Sequence, residues 1–287
     1  MSFITAHSFI FNKTNSADFG VTIGWIDSKA DVSTNGLTRE LKKTARTTKT
    51  KSYIYSAENT EPISFHFSIV KADGSELTRA ESIKINRWLT SSPLPQLLKF
   101  NDCDTYPLHY YAVCTQINDI TSGGQLIGKE LTFETNSSFA FSGKEKKTFM
   151  ITETDNCFFL NNSADTDNGI YYPTVTISTK SDKVVMENVT DQKSVTINMQ
   201  TIKADANGNK VIALNSENMT VTDNSGQLIP ADQLGWNEAY TSYVSSIDDF
   251  MDNIYWPRLL QGMNEWNVSG ACTLTIEYEF PRKAGCL

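Results

Sequence analysis

Residues 77–100 read LTRAESIKINRWLTSSPLPQLLKF, and this stretch decides the fold. Thr78, followed three residues later by Glu81, spells a capping box, in which a hydroxyl and a carboxylate satisfy two otherwise orphaned amides. Ile85, Trp88 and Leu89 then fall at i, i+3 and i+4, one apolar stripe on a helix. Ser91, Ser92 and Pro93 end it, because the residue before a proline leaves the α region. The chain on either side has the texture of strands. A short helix with a single apolar stripe has to lie against them. The first half is therefore expected to be a β structure with one helix laid on it.

Working outward, residues 9–11 and 19–25 read as short strands with a turn at 15–18. Residues 52–57 and 63–70 alternate apolar and polar positions, the period of a half-buried strand. Residues 72–75 make a turn into the helix. Residues 106–117 and 127–135 flank the turn at 121–124 and predict a hairpin, with 137–141 closing the first half. Residues 28–51 are polar and locally basic: Lys29, Arg39, Lys42, Lys43, Arg46, Lys49 and Lys51 stand against Asp31 and Glu40. A long loop or an extended hairpin is expected there. On an acidic chain, a solvated arm is favoured over nucleic-acid binding. Its sign also suits docking on an acidic patch of a neighbouring copy.

Residues 142–147, SGKEKK, make the best linker, dividing the chain into 1–142 and 143–287. Beyond it the short strands 149–151, 175–177, 184–186, 195–199 and 211–214 are punctuated by turns at 164–169, 205–209 and 223–226. Such spacing indicates a β-sandwich or jelly roll. Residues 272–280 alternate and would close a sheet. The chain is expected to be mainly β throughout, with two domains.

The 287 residues are 39% hydrophobic and 20% charged, enough apolar material for a core and too little charge for disorder. The net charge of −8 argues against a protein held on nucleic acid by phosphate contacts. No apolar run approaches a membrane span, and residues 1–20 lack the basic start and unbroken apolar run of a signal peptide, so synthesis in a cytoplasm is expected. The five cysteines, Cys103, Cys114, Cys157, Cys272 and Cys286, are odd in number and lack a CxxC spacing, which favours free thiols.

No catalytic, cofactor or metal site is expected. Gly123–Lys129 fits G-x-x-x-x-G-K, but Glu130 stands where Ser or Thr should hold Mg²⁺, and a strand follows in place of a helix. Asp165-Thr166-Asp167-Asn168-Gly169 brings its glycine one position too early for a calcium loop and reads as a turn. His7, His66 and His109 lie far apart, and Asp248-Asp249 most simply favour a helix start. The aromatic cluster Trp236, Tyr240, Tyr243, Tyr255 and Trp256 is expected to be core or interface first. If it forms a sugar platform, Trp236 and Trp256 carry it.

Several short motifs recur in a recognisable order: Phe9-Ile10-Phe11-Asn12, Ser16-Ala17-Asp18-Phe19-Gly20, Arg39-Glu40-Leu41-Lys42-Lys43, Asp73-Gly74, Leu77-Thr78-Arg79 and Ile85-Asn86-Arg87-Trp88-Leu89. Tyr110-Tyr111-Ala112, Phe139-Ala140-Phe141, residues 256–264 (WPRLLQGMN) and Val268-Ser269-Gly270 follow. In this order they resemble the distal tail protein (Dit) family of siphophages, particularly those of Gram-positive hosts. The resemblance implies a non-enzymatic component of the virion tail tip. It implies an N-terminal domain of tail-tube type, with two β-sheets, a flanking helix and a β-hairpin, and a C-terminal galectin-like sandwich. It implies a homo-hexameric ring that joins the tail tube protein to the tail-tip hub protein, passes DNA without binding it, and has receptor-binding proteins as further partners. Six copies carry 6 × −8 = −48, a sign that lets DNA slide past. Roughly 140 residues follow the linker, room for one sandwich and no inserted carbohydrate module.

Two sets of contact residues follow. Arg39, Lys42, Lys43 and Arg46 of the basic arm, with Lys129, Leu131 and Phe133 of the strand 129–135, are expected between subunits. The alternative function, a carbohydrate-binding adsorption protein acting through the C-terminal sandwich, would use Trp236 and Trp256.

Overall fold

The computed structural model describes residues 6–24, 32–34, 38–44, 50–59, 61–102, 108–230 and 255–283. The chain forms two compact units: Met1–Gly143 together with Pro281–Leu287, and Lys144–Phe280.

The first unit contains β1 (Ala6–Phe11), β2 (Thr14–Asn15), β3 (Val21–Gly24), β4 (Val32–Thr34), β5 (Arg39–Thr44), β6 (Tyr53–Asn59), β7 (Ser64–Lys71), α1 (Arg79–Leu89), β8 (Gln96–Asp102), β9 (Tyr110–Ser122), β10 (Gln125–Thr135) and β11 (Ala140–Phe141). Its main sheet runs β2-β1-β8-β9-β10-β7-β3, with β4 also on β7. The Thr22 hydroxyl of β3 donates to the His7 carbonyl of β1 at 2.7 Å, so the sheet wraps around its own core in two layers. Phe9 of β1 packs edge-on against Phe67 of β7 and Phe133 of β10, with ring centroids 5.1 and 6.0 Å away.

The helix forms where the capping box and stripe predict it. The Thr78 side chain accepts from the Glu81 amide, and the Glu81 carboxylate accepts from the Thr78 amide at 2.8 Å. Its buried residues are Ser82, Ile85, Trp88 and Leu89. Trp88 stacks on Phe19 at 4.6 Å and donates its indole N–H to the Phe11 carbonyl at 3.0 Å, which pins the helix to β1. The predicted hairpin is β9–β10. Its central residues Gly123 and Gly124 both have positive φ, +59° and +84°, the conformation a tight two-residue hairpin turn demands.

The second unit contains β12 (Glu145–Ile151), β13 (Cys157–Asn162), β14 (Thr174–Thr179), β15 (Lys183–Asn188), β16 (Lys193–Asn198), β17 (Lys210–Asn215), β18 (Thr220–Asp223), β19 (Gly262–Ser269) and β20 (Cys272–Tyr278). A five-stranded sheet, β12-β20-β14-β17-β18, faces a four-stranded one, β13-β19-β15-β16. Ile177, Leu214 and Leu274 from the first meet Leu160, Met186 and Trp266 from the second in one core, which makes the unit a β-sandwich. The final strand, β21 (Pro281–Arg282), pairs with β11 and belongs to the first unit.

The expected linker is shorter than its composition suggests. Residues 145–147 are already strand, paired in register with Tyr278, Glu277 and Ile276 of β20. Their charges are tolerated because β12 is an edge strand among the described residues, where Lys146 reaches Glu277 at 2.9 Å and Glu145 accepts from the Tyr278 hydroxyl at 2.6 Å.

Candidate functional site

The basic arm folds as a hairpin. Strands β5 and β6 pair with each other and, among the described residues, with no other strand. A register shift between Lys42 and Lys43 marks a bulge, which sharpens the local twist. Lys42 is held by Glu58 at 2.5 Å, and the hydrogen bond to Glu58 raises the lysine's pKa. Arg39 donates to the Ala57 carbonyl at 3.2 Å. Lys43 and Lys51 are exposed and make no ion pair among the described residues. Arg46 lies outside those residues. The hairpin also exposes Leu41, Tyr53, Ile54 and Tyr55, each by about half or more (49, 59, 54 and 60%). Exposed apolar side chains on a solvated two-stranded ribbon make it a candidate contact surface.

The second open surface is the outer part of β9. Strand β8 covers β9 only at Tyr110–Ala112. From Val113 to Ser122 the strand is paired with β10 on one side and, among the described residues, with nothing on the other. Such an edge is a template for another strand.

This geometry corrects the expectation for Lys129, Leu131 and Phe133. Strand β10 is central, paired with β7 on one side and β9 on the other, and so has no edge to offer. All three side chains are 0% exposed. Leu131 and Phe133 fill the core beneath α1, and Lys129, on the same side of the strand, ends that stripe with its ammonium 2.5 Å from Asp119. Alternation shows which residues share a face. It does not show that the shared face points inward. The open edge belongs to the neighbouring strand, whose polar sequence (residues 113–122, VCTQINDITS) gave no signal of it.

The sugar platform is corrected as well. Trp256 is 5% exposed and lies in the sandwich core, so its ring faces cannot stack on a ligand. Trp236 and the stretch 239–254 lie outside the described residues. Near Trp256, Arg258 makes a two-point ion pair with Asp191 at 2.7 and 3.0 Å, which pushes the guanidinium pKa up and ties the loop to the sandwich. Residues 123–124 are the hairpin turn already described, and Gly169 closes a turn through Thr166 at 3.3 Å. His66 shares a hydrogen bond with Thr132 at 3.0 Å within the sheet. Burial pushes the thiols of Cys114 and Cys272 up to about 11, so both are protonated at neutral pH. Among the described residues no group of histidines, cysteines and carboxylates is placed to hold a metal ion.

What the molecule presents, then, is surfaces: a ribbon with exposed rings and cations, and an uncovered strand edge, on a mainly β scaffold of two units. Two domain descriptions of one family match it, a phage tail protein N-terminal domain over residues 4–137 and a phage tail C-terminal domain over residues 139–278. The chain belongs to this family of phage tail proteins, and its fold is that of the distal tail and baseplate proteins. Among solved structures it is similar to the Dit protein of phage SPP1, described as a paradigm of the hub adsorption apparatus in phages infecting Gram-positive hosts. The identity is 11%, over 95% of this chain and 98% of that one, with a TM-score of 0.62. It is also similar to a chain of the phage P2 baseplate in its activated conformation with Ca, at 11% identity over 98% and 99% of the two chains and a TM-score of 0.50. At that identity the likeness is one of fold, end to end. No curated protein sequence matches the chain. It is a structural component of a phage tail, and the virion is its place.

Proposed function

We propose that this chain forms a closed homo-hexameric ring at the tip of the tail, joining the tail tube protein to the tail-tip hub protein and letting DNA pass. The observation that carries the reading is the uncovered edge of β9 from Val113 to Ser122, on a unit whose sheet is otherwise wrapped on itself. A strand edge left uncovered over ten residues, among the described residues, is a liability in a lone chain and a seam in a ring. A strand edge that meets a different surface on the next copy makes a head-to-tail contact, and such contacts close when the rotation closes. The hairpin cations Arg39, Lys42 and Lys43, with Arg46, remain the proposed second contact. The role is non-enzymatic, and the ring assembles in the host cytoplasm before it joins the virion. Receptor-binding proteins are the further partners of the ring's periphery.

Mass photometry and negative-stain imaging of the purified chain test this. A six-fold ring is expected. Lysines at Gln116 and Asn118, both exposed on the open edge, blunt it and are expected to release monomers that keep their fold. A wild-type chain that stays monomeric at every concentration, or an edge variant that assembles as before, overturns the reading.

A further inference from the structure

The hairpin needs a receiving surface, and the second unit has one of opposite charge. At one end of the five-stranded sheet lies an open cleft of about 330 Å³. Lys146, Glu277, Thr174 and Asn215 stand in register across four strands and line it. Tyr171, Tyr172 and Glu217 line it as well. Its lining holds four carboxylates (Glu145, Glu217, Glu277, Glu279) and two lysines (Lys144, Lys146), a formal 2 − 4 = −2.

Two of those carboxylates are already engaged: Glu277 with Lys146, and Glu145 with the Tyr278 hydroxyl. Glu217 makes no ion pair among the described residues. On the hairpin the bookkeeping is the mirror image, with Lys42 engaged by Glu58 while Lys43 and Lys51 have no ion-pair partner among the described residues. We propose that the β5–β6 hairpin of one copy docks in this cleft on the neighbouring copy, bringing Lys43 or Lys51 to Glu217. The occupant is a second copy of this chain because the chain itself carries both charges, on surfaces its own pairing leaves open. Complementary potentials steer such an encounter and fix its register. Because hairpin and cleft are different surfaces, the contact is head-to-tail and repeats from copy to copy. The inference rests on the ring reading and adds the surface that receives the arm.

The test mixes ¹⁴N- and ¹⁵N-labelled full-length chains before assembly and couples them with a zero-length carbodiimide, which joins an amine to a carboxylate only in contact. Mass spectrometry is expected to find mixed-isotope peptides joining Lys43 or Lys51 to Glu217, lost in Glu217→Gln. Glu217→Lys is expected to weaken association about tenfold, and Lys43→Glu or Lys51→Glu in the same chain, whichever lysine the link names, to restore it. Rings without the mixed link, a link confined to one isotope, or a link from the cleft to some other lysine overturns the docking and leaves the ring. A chain that never assembles overturns both.

Discussion

Asp119→Ala removes the counter-charge of a lysine whose own side chain is fully buried. Lys129 is 0% exposed, its ammonium sits 2.5 Å from the Asp119 carboxylate, and the two residues are register partners across β9 and β10. Removing one member of a fully buried ion pair costs about 3–5 kcal/mol. The Asp119 side chain is 55% exposed, so water already screens the pair and the figure has to be discounted. We expect about 1–3 kcal/mol for Asp119→Ala. Lys129→Met keeps the length of the side chain and extends the apolar stripe of Leu131 and Phe133, so its effect should stay within about 1 kcal/mol. The double variant should resemble Lys129→Met alone, giving a coupling equal in size to the Asp119→Ala cost, about 1–3 kcal/mol. Native-state amide exchange across β9 and β10 reads these values within the unit that holds the pair. Ring mass by light scattering should be unchanged in Lys129→Met. A Lys129→Met chain as damaged as Asp119→Ala, or a double variant worse than either, would refute the desolvation argument. A Lys129→Met chain that folds normally and loses its ring would return Lys129 to the interface.

Three further outcomes are expected. Hydrogen bonds from the Thr78 hydroxyl and amide, then the Lys71 ammonium, hold the Glu81 carboxyl down at about 2 from its ordinary 4.5. Its contribution to stability is therefore complete above pH 4.5 and lost as pH falls toward 2. The melting-temperature gap between wild type and Glu81→Gln should close across that window, and a gap that does not vary with pH would contradict it. Gly270 has φ +95°, and an added Cβ would lie 2.5 Å from the Lys183 carbonyl oxygen. Gly270→Ala should thus cost about 1–3 kcal/mol in denaturant unfolding, with an unchanged midpoint counting against the strain. Trp256→Ala should lower the stability of the sandwich by about 3–5 kcal/mol in calorimetry, as core truncations do, whereas a stacking platform would lose ligand and keep its melting point.

The legible parts of this chain are those whose causes lie within a few residues. Thr78 and Glu81 close a capping box across three positions, Ile85, Trp88 and Leu89 share a helix face whatever they pack against, and Gly123-Gly124 turns the chain without help from elsewhere. Alternation along 272–280 likewise announced the strand at 272–278. The strand at 157–162 is not legible locally: it is held by 262–269 across roughly a hundred residues, Phe158 opposite Trp266, and carries no turn signal that isolates it. The charged stretch 145–147 reads as linker until β20 arrives beside it.

By itself, then, the sequence determined the mainly β class, the helix and its docking stripe, the β9–β10 turn and the basic character of the arm, all of them consequences of caps, periods and charges counted over short spans. Only the tertiary structure decided that Lys129, Leu131 and Phe133 face the core, that Trp256 is enclosed, and that β9 rather than β10 is left uncovered. Sidedness and edges depend on which distant strand arrives to pair, and no local pattern of residues encodes that arrival.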